Sequence, residues 1–272
     1  MLTLEQSLLW ISLLIAISIF AYKIKVIDKS GVLTAIPIGF TILYFGEISW
    51  FIILLLFFVT ASVFTKYKHK EKQNLGAAQE NDAARNWKSV LANGLPLASL
   101  AIIYYLSDRS PILMLSFVGS ISFALSDTLA TELGLLSKAK PRSILTGKEI
   151  GRGQSGGITL QGEIVAIISS LAIGSICGIW LSNNEISQIS TIIIAALVGG
   201  VLATNLDSFF GATIQAKYRC FNCKKCLENK VIHCNKPMIR VKGISVIDNN
   251  VVNFLGAITS ALISASFVIL YR

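Results

Sequence analysis

The sequence alternates between long apolar stretches and shorter polar segments. Most of the apolar stretches approach the roughly 20 residues that a helix needs to cross a bilayer. The candidate spans are residues 4–22, 31–46, 49–65, 89–107, 111–133, 158–182, 188–212 and 249–270. The pattern therefore predicts an all-α protein, a polytopic transmembrane helical bundle of about eight spans that forms a single domain over residues 1–272.

The composition agrees with this fold class. Hydrophobic residues make up 53% of the chain, charged residues only 14%, and the mean hydropathy is +0.66. A soluble domain would carry about a quarter of charged residues. The sequence is thus typical of an integral membrane protein, and an ordinary soluble domain is excluded.

The cations are distributed unevenly among the loops. When the loops are assigned alternately to the two sides of the membrane, one side receives all of the 24 Lys and Arg residues except Arg109 and Arg272. Cytoplasmic loops are generally enriched in Lys and Arg. We therefore expect the loops 66–88, 134–157 and 213–248 to be cytoplasmic, both termini to lie outside, and the protein to reside in the cell membrane. The same rule explains the net charge of +9 without a nucleic-acid partner.

The stretch 126–157 begins with two acids at the end of an apolar run. Acids within a membrane helix are costly unless they face protein, water or an ion. On ideal helical angles Asp127 and Glu132, together with two threonines between them, fan across an arc of about 140°. We therefore expect these side chains to line one side of a cavity.

The remainder of this stretch combines cations with a glycine-rich loop. The cations are Lys138, Lys140, Arg142, Lys148 and Arg152, and the loop 151–157 contains four glycines. Glycine lets backbone N–H groups approach a phosphate closely, because no side chain intervenes. The stretch as a whole therefore predicts a nucleotide or diphosphate site at a membrane surface.

A further acid falls on a polar face in the seventh span. Asp207 shares this face with small and polar residues at helical spacing, from Thr204 to Gln215. The alternatives for a buried acid here are an ion pair with a loop cation and a metal site. Three acids with matching polar faces favour the metal site, so we expect Asp127, Glu132 and Asp207 to bind Mg²⁺.

Other polar residues lie within or beside the spans. Asn93 lies about one turn inside its span, where a cavity-facing role is favoured over simple anchoring at the membrane interface. Asn253 lies inside the last span and, unlike Asp248, is not positioned to cap the helix. For Glu163 the alternatives of a metal ligand, a helix cap and an ion pair stay open.

The loop after the seventh span contains a cysteine-rich segment. Cys220, Cys223 and Cys226 are spaced as C-x-x-C-x-x-C, and His233 and Cys234 follow. This spacing suits tetrahedral zinc, and a cytoplasmic position disfavours disulfides. The segment predicts a structural Zn²⁺ site, and five possible ligands for four places leave the set open. Cys220, Cys223, His233 and Cys234 are the ligands that we expect, and the alternatives to zinc are an iron–sulfur cluster and unliganded thiols.

The sequence lacks the side chains for several common reaction types. His69 and His233 are its only histidines, and neither a G-x-S-x-G elbow nor a Walker lysine motif is present. The reaction type that remains compatible with the sequence is group transfer assisted by a divalent cation. The expected catalytic residues are Asp127, Glu132, Lys140, Arg142 and Asp207. The expected nucleotide or phosphate contacts are Lys148, Arg152, Gly153, Ser155, Gly156, Gly157, Asn93 and Asn253.

At these residues the chain resembles the domain-of-unknown-function family 92, which includes plant chloroplast phytyl-phosphate kinases and the animal transmembrane-protein-19 group. The matching elements are SDTLATELG at 126–134, Lys140-Pro141-Arg142, the Gln154-Ser155-Gly156-Gly157 loop, the segment 207–215, the Cys220/Cys223 and His233-Cys234 elements, and Asn249 to Asn253. They are spread over most of the chain, and the long central motif is specific. The resemblance implies a membrane bundle with its active site at the cytoplasmic face.

The resemblance also implies an activity. A prenyl-phosphate kinase transfers a phosphoryl group from a nucleoside triphosphate, with CTP as one choice, to an isoprenyl monophosphate of phytyl or geranylgeranyl type. The alternatives are a related lipid-phosphate cytidylyltransferase and a transporter or flippase of a phosphorylated lipid. Polar groups that cluster at one face rather than at the midplane, without evident inverted repeats, speak against transport.

Overall fold

The structure is a computed structural model that describes residues 4–75, 84–182, 185–220, 222, 226–227, 232–233 and 236–270. Within these ranges the helices are α1 (Leu4–Lys23), α2 (Lys29–Phe45), α3 (Ile48–Lys66), α4 (His69–Asn74), α5 (Trp87–Leu106), α6 (Pro111–Gly134), α7 (Leu160–Leu181), α8 (Ile186–Thr213) and α9 (Asn249–Ala265), and a 3-10 turn follows at Ser266–Leu270. The strands pair antiparallel: β1 (Arg142–Ser143) with β2 (Gly157–Ile158), β3 (Lys217–Arg219) with both β4 (Cys226–Leu227) and β7 (Ile239–Lys242), and β5 (Ile232–His233) with β6 (Lys236–Pro237).

The predicted spans correspond to α1, α2, α3 and α5 to α9, which confirms the polytopic helical bundle. Among the described helices, six are long and apolar enough to cross a membrane, namely α3, α5, α6, α7, α8 and α9 with its 3-10 extension. Helices α1 and α2 contribute shorter apolar stretches, Leu8–Lys23 and Lys29–Phe45. The number of spans therefore depends on whether these two shorter helices also cross the bilayer.

Helix α6 runs through the centre of the bundle. Its side chains from Met114 to Ser126 are all buried, and the helix contacts α3, α5, α7, α8 and α9. Small residues at such contacts let membrane helices approach closely. A Cβ added to Gly119 would lie 2.5 Å from the carbonyl oxygen of Ser260 in α9. The close approach of α6 and α9 therefore requires glycine at this position.

Serine hydroxyl groups link the central helix to its neighbours. Ser120 donates a hydrogen bond to the carbonyl of Ala257 in α9 at 2.8 Å, and Ser122 donates to the carbonyl of Ala196 in α8 at 2.7 Å. A helical carbonyl can accept these bonds because its oxygen has a second lone pair. Each such bond stabilises a membrane helix pair by about 0.6 kcal/mol. Together with the small residues, these bonds fix α6, α8 and α9 relative to one another.

The polar loops meet at one end of this bundle. The backbone N–H of Arg85, just before α5, donates to the carbonyl of Val26 in the α1–α2 turn at 2.9 Å. Lys217 of β3 donates to the carbonyl of Ser155 in the α6–α7 loop at 2.8 Å. These polar segments therefore form a layer over one end of the helices, in which neighbouring segments are joined in pairs by hydrogen bonds.

Candidate active site

A cavity of about 270 Å³ lies where this layer meets the helices. Its walls come from the C-terminal ends of α6 and α8, the N-terminal ends of α7 and α9, and the loop 152–157. The side chains of Thr159 and Asp248 cap α7 and α9 by accepting backbone hydrogen bonds. The N-terminal end of a helix carries a partial positive charge that favours anions. The cavity thus combines the positive N-terminal ends of α7 and α9 with side chains from the C-terminal ends of α6 and α8.

Asp127 of α6 and Asp207 of α8 are two of the acids that line this cavity, and both residues are half-buried. Beside them the hydroxyl groups of Ser126 and Thr204 lie 2.9 Å apart and join the two helices. The amide nitrogen of Asn253 donates to a carboxylate oxygen of Asp207 at 3.2 Å, in the amide orientation that gives both of its polar atoms a partner. The structure therefore brings Asp127, Asp207 and Asn253 to one end of the bundle.

A third acid at the cavity is Glu163, in the first turn of α7. Its carboxylate accepts a hydrogen bond from the side-chain amide of Asn205 in α8 at 3.0 Å. The sequence pattern did not indicate Asn205, because helical spacing places it about 160° around the helix from Asp207. Glu163 therefore joins α7 to α8 while it remains at the wall of the cavity.

Glu132 does not belong to this group of acids. Its carboxylate accepts a hydrogen bond from the ammonium group of Lys72 in α4 at 2.6 Å, and it does not line the cavity. The Lys72 side chain is 1% exposed and also donates to the carbonyl of Phe64 in α3 at 2.9 Å. The expected magnesium set of three acids is therefore not assembled, since Glu132 anchors α3 and α4 to α6. In the sequence, Lys72 is indistinguishable from the other lysines of a positively charged loop.

The cavity suits Mg²⁺ with a smaller set of protein ligands. Among the residues that the structure describes, no three His, Cys, Asp or Glu side chains are grouped closely enough to hold a metal ion. Mg²⁺ is usually bound through one or two carboxylates, and waters and substrate phosphates complete its shell. Asp127 and Asp207 meet this requirement because both line the same cavity. The residues present are therefore compatible with Mg²⁺ held by two carboxylates, and magnesium binding stays a prediction.

The loop 152–157 is held against the end of α8. Gly156 has a φ of +80°, and a Cβ added there would lie 2.8 Å from the backbone nitrogen of Ala212. The hydroxyl of Ser155, which lines the cavity, is buried without a hydrogen-bond partner among the described residues. Leaving a buried hydroxyl unsatisfied is costly. Ser155 thus marks a position where a ligand oxygen can complete the site.

Of the five cations in the stretch 126–157, Arg152 alone lines the cavity, where Gly153 and Gly157 accompany it. Its guanidinium donates to the carbonyls of Leu135 at 3.0 Å and Ser137 at 2.5 Å. These carbonyls follow the last turn of α6 and would otherwise lack helical partners. Arg152 therefore closes the end of α6 and adds positive charge to the cavity wall.

Three other cations that we expected at the phosphates lie outside the cavity, namely Lys140, Arg142 and Lys148. All three are exposed. Arg142 belongs to β1, and Lys140 forms an exposed ion pair with Glu149 at 3.4 Å. The structure therefore does not bring these side chains to the acids.

Asn93 lies in a different cavity. Its side-chain amide donates to the carbonyl of Ser89 in the same helix at 3.1 Å, and it lines an apolar cavity between α1, α2, α3 and α5. Helix α5 packs against α2, α6 and α9. Asn93 is therefore not among the residues that line the cavity with Asp127 and Asp207.

The cysteine-rich segment is described in part. Cys220 is buried beside Tyr218 and Met238 at the end of β3. Cys223 and Cys234 lie outside the described residues, and His233 is described only through its backbone in β5. The expected zinc site therefore stays a prediction.

Comparison with known proteins agrees with this architecture. The profile of the integral membrane protein family DUF92 matches residues 12–261. The chain belongs to the DUF92 family. No solved structure matches it.

The sequence of this DUF92 protein aligns with several curated relatives over more than half of each relative's length. Protein PGR of Arabidopsis thaliana is 30% identical over 92% of both chains. An uncharacterized membrane protein of Methanocaldococcus jannaschii is 29% identical over 77% of this chain and 84% of its own. The chloroplastic protein VTE6 of Arabidopsis thaliana is 26% identical over 63% of this chain and 54% of its own. For the first two relatives, the similarity extends over most of the helical bundle.

The substitution Gly156→Ala should displace the glycine-rich loop from α8. It combines a positive φ, which costs a non-glycine residue about 1–2 kcal/mol, with overpacking against Ala212, which costs about 1–3 kcal/mol. We expect the free energy of unfolding in detergent to fall by about 3 kcal/mol. Gly147→Ala is the matched control, because Gly147 has a φ of +66° and nothing within 4 Å of an added Cβ. Equal losses for both variants would contradict the close packing of the loop.

Removal of the Glu132 carboxylate should leave the buried ammonium group of Lys72 without a compensating negative charge. We expect Glu132→Leu to lower the free energy of unfolding by about 3 kcal/mol or more. The double variant with Lys72→Met should recover much of this loss. Glu71→Leu is the control, because Glu71 pairs with Lys68 at the surface, where both side chains are about half exposed, and such pairs contribute about 0.5 kcal/mol. Similar losses for Glu132→Leu and Glu71→Leu would contradict the anchoring role of Glu132.

Proposed function

We propose that this protein is a Mg²⁺-dependent kinase that transfers a phosphoryl group from a nucleoside triphosphate to an isoprenyl monophosphate. The observation that carries the proposal is the cavity lined by Asp127, Asp207 and the glycine-rich loop 152–157. Carboxylates for a metal and backbone N–H groups for phosphates are the parts that phosphoryl transfer requires. Because the cavity lies at the end of membrane helices, a lipid acceptor and a water-soluble nucleotide can meet there.

Each part of the cavity has a role in this proposal. Asp127 and Asp207 would hold Mg²⁺, which when bound neutralises charge on the phosphates and orients them. The loop 152–157 binds phosphate oxygens through its backbone N–H groups and through the hydroxyl of Ser155. Arg152 and the N-terminal ends of α7 and α9 add positive charge. Because phosphoryl transfer needs little covalent participation by the protein, positioning and charge compensation account for catalysis.

The substrates are proposed from the family resemblance. The family resembled includes plant chloroplast phytyl-phosphate kinases, and this chain is 26% identical to the chloroplastic protein VTE6 over 63% of its length. An isoprenyl chain stays within the bilayer because it is apolar. The phosphate of such a lipid therefore lies at the membrane surface, at the level of the cavity. CTP is the proposed donor on the resemblance alone.

Labelled nucleotide separates the kinase from its alternatives. Purified protein in detergent is supplied with an isoprenyl monophosphate, Mg²⁺ and CTP that carries its label at either the γ- or the α-phosphate. A kinase transfers the γ-label to the lipid and leaves the α-label in CDP. Transfer of the α-label would instead indicate a cytidylyltransferase, and the absence of any transfer would agree with a transporter. Either result would contradict the kinase.

In the same assay, Asp127→Asn and Asp207→Asn should each reduce transfer of the γ-label by about 100-fold or more, because each removes a charged oxygen ligand of the metal. Asp108→Asn is the control, since Asp108 is exposed in the turn between α5 and α6 at the opposite end of the bundle. Unchanged folding is checked by the unfolding temperature. Nearly wild-type transfer in either variant would contradict metal binding by the carboxylate that the variant replaces.

The cavity is further proposed to face the cytoplasm, because the loops around it carry most of the cations. Asn74 and Ser107 are exposed at opposite ends of the bundle. Each is replaced by cysteine in a background without the native thiols. In intact cells, a membrane-impermeant thiol reagent should label Ser107→Cys at once and Asn74→Cys only after permeabilisation. The reverse pattern would contradict the use of cytosolic nucleotide.

A further inference from the structure

A second cavity, of about 100 Å³, lies between α1, α2, α3 and α5. Its walls are largely apolar and include Leu14, Ile38 and Phe57. Apart from Ser18, its polar lining residues belong to the segment 85–93 at the start of α5. The cavity is therefore a narrow apolar space with polar groups concentrated along one helix end.

Arg85 gives this cavity a positive charge. Its guanidinium lies 5.6 Å and 5.8 Å from the ring centroids of Phe57 and Phe58, and it forms no ion pair with a carboxylate of the described residues. Glu132 acts on it electrostatically but is itself bonded to Lys72. Burial lowers the pKa of Arg85 to about 10, so the group stays charged at neutral pH. A cation in such surroundings is stabilised when a bound anion compensates its charge.

The apolar cavity and the polar cavity border the same helix contact. Ser89 lines the apolar cavity, and its hydroxyl donates to the side chain of Asn250 in α9 at 3.1 Å. The preceding residue, Asn249, lines the polar cavity. A head group held near Ser89 would therefore lie at the boundary of the site that contains the acids.

We propose that the cavity between α1, α2, α3 and α5 holds the hydrocarbon chain of the acceptor lipid, with its phosphate toward Arg85. The identity of the lipid rests on the proposed kinase function, whereas the site itself rests on the geometry. A narrow apolar cavity suits one hydrocarbon chain better than the two acyl chains of a bilayer phospholipid. Arginine suits the head group because its guanidinium binds phosphate oxygens in pairs.

Binding of farnesyl monophosphate to the purified full-length protein in detergent tests the charged end of this site. Native mass spectrometry without nucleotide should show that the monophosphate binds at least about tenfold more tightly than farnesol, because a charge-assisted contact is added. Arg85→Gln should abolish this preference. Lys88→Gln is the matched control, since Lys88 is an exposed cation over Trp87 that does not line the cavity. An unchanged preference in Arg85→Gln would overturn the proposal.

A second variant tests the apolar end independently of Arg85. Ala35 lines the cavity, so Ala35→Phe should weaken the binding of both farnesyl monophosphate and farnesol by about tenfold. Leu33→Phe is the control, because Leu33 lies on the same helix and is 75% exposed. If Arg85→Gln does not fold, the comparison of Ala35→Phe with Leu33→Phe still tests whether the cavity binds the hydrocarbon chain. Wild-type affinity in Ala35→Phe would overturn the proposal.

The binding assay distinguishes failure of this site from failure of the kinase. If both variants lose binding but the wild-type protein transfers no γ-label, the kinase is contradicted and the site stands as one for an anionic single-chain lipid. If the wild-type protein transfers the label and both variants bind normally, the site is overturned and the kinase stands. Displacement of farnesyl monophosphate by an equal concentration of phosphatidylglycerol would overturn the assignment to a single-chain acceptor.

Discussion

The close packing of α6 against α8 and α9 is the constraint on which the rest of the structure depends. Inside a bilayer, apolar side chains gain little by leaving lipid, so helices associate through close backbone approach and hydrogen bonds. A Cβ added to Gly200 of α8 would clash with the hydroxyl of Ser122 in α6, which shows how closely α6 and α8 approach. Because glycine and serine fix α6 and α8 side by side, Asp127 and Asp207 reach the same cavity where the two helices end.

Two cations of the loop layer, Lys242 and Arg152, donate hydrogen bonds to backbone carbonyls at the C-terminal ends of helices. Lys242 of β7 donates to the carbonyl of Ala212 in the last turn of α8 at 2.6 Å, and Arg152 does the same for the carbonyls that follow α6. Both interactions compensate the partial negative charge at a helix C-terminus. The positive charge that the sequence suggests for phosphates is therefore partly used to hold α6 and α8, although that of Arg152 still lies at the cavity wall.

The helices and two of the acids were predictable, because an apolar run of bilayer length has few alternatives to a helix and because Asp207 lies on a clear polar face. Glu132 was assigned incorrectly to the cavity. It lies on the same arc of α6 as Asp127, but a central helix has different neighbours on each side, and an arc of about 140° spans two of them. Its partner, Lys72, lies far away in the sequence, and helical periodicity carries no information about such a contact.

The two cavities belong to different groups of helices. Helices α6 to α9 form the polar cavity, whereas α1, α2, α3 and α5 form the apolar one, and the contact between Ser89 and Asn250 lies between them. In the proposed reaction, the polar cavity would hold the soluble donor and the apolar cavity would hold the hydrocarbon chain of the lipid. Since reacting groups must be held about 3 Å apart, the α5–α9 contact is then the part of the fold that sets the distance between donor and acceptor.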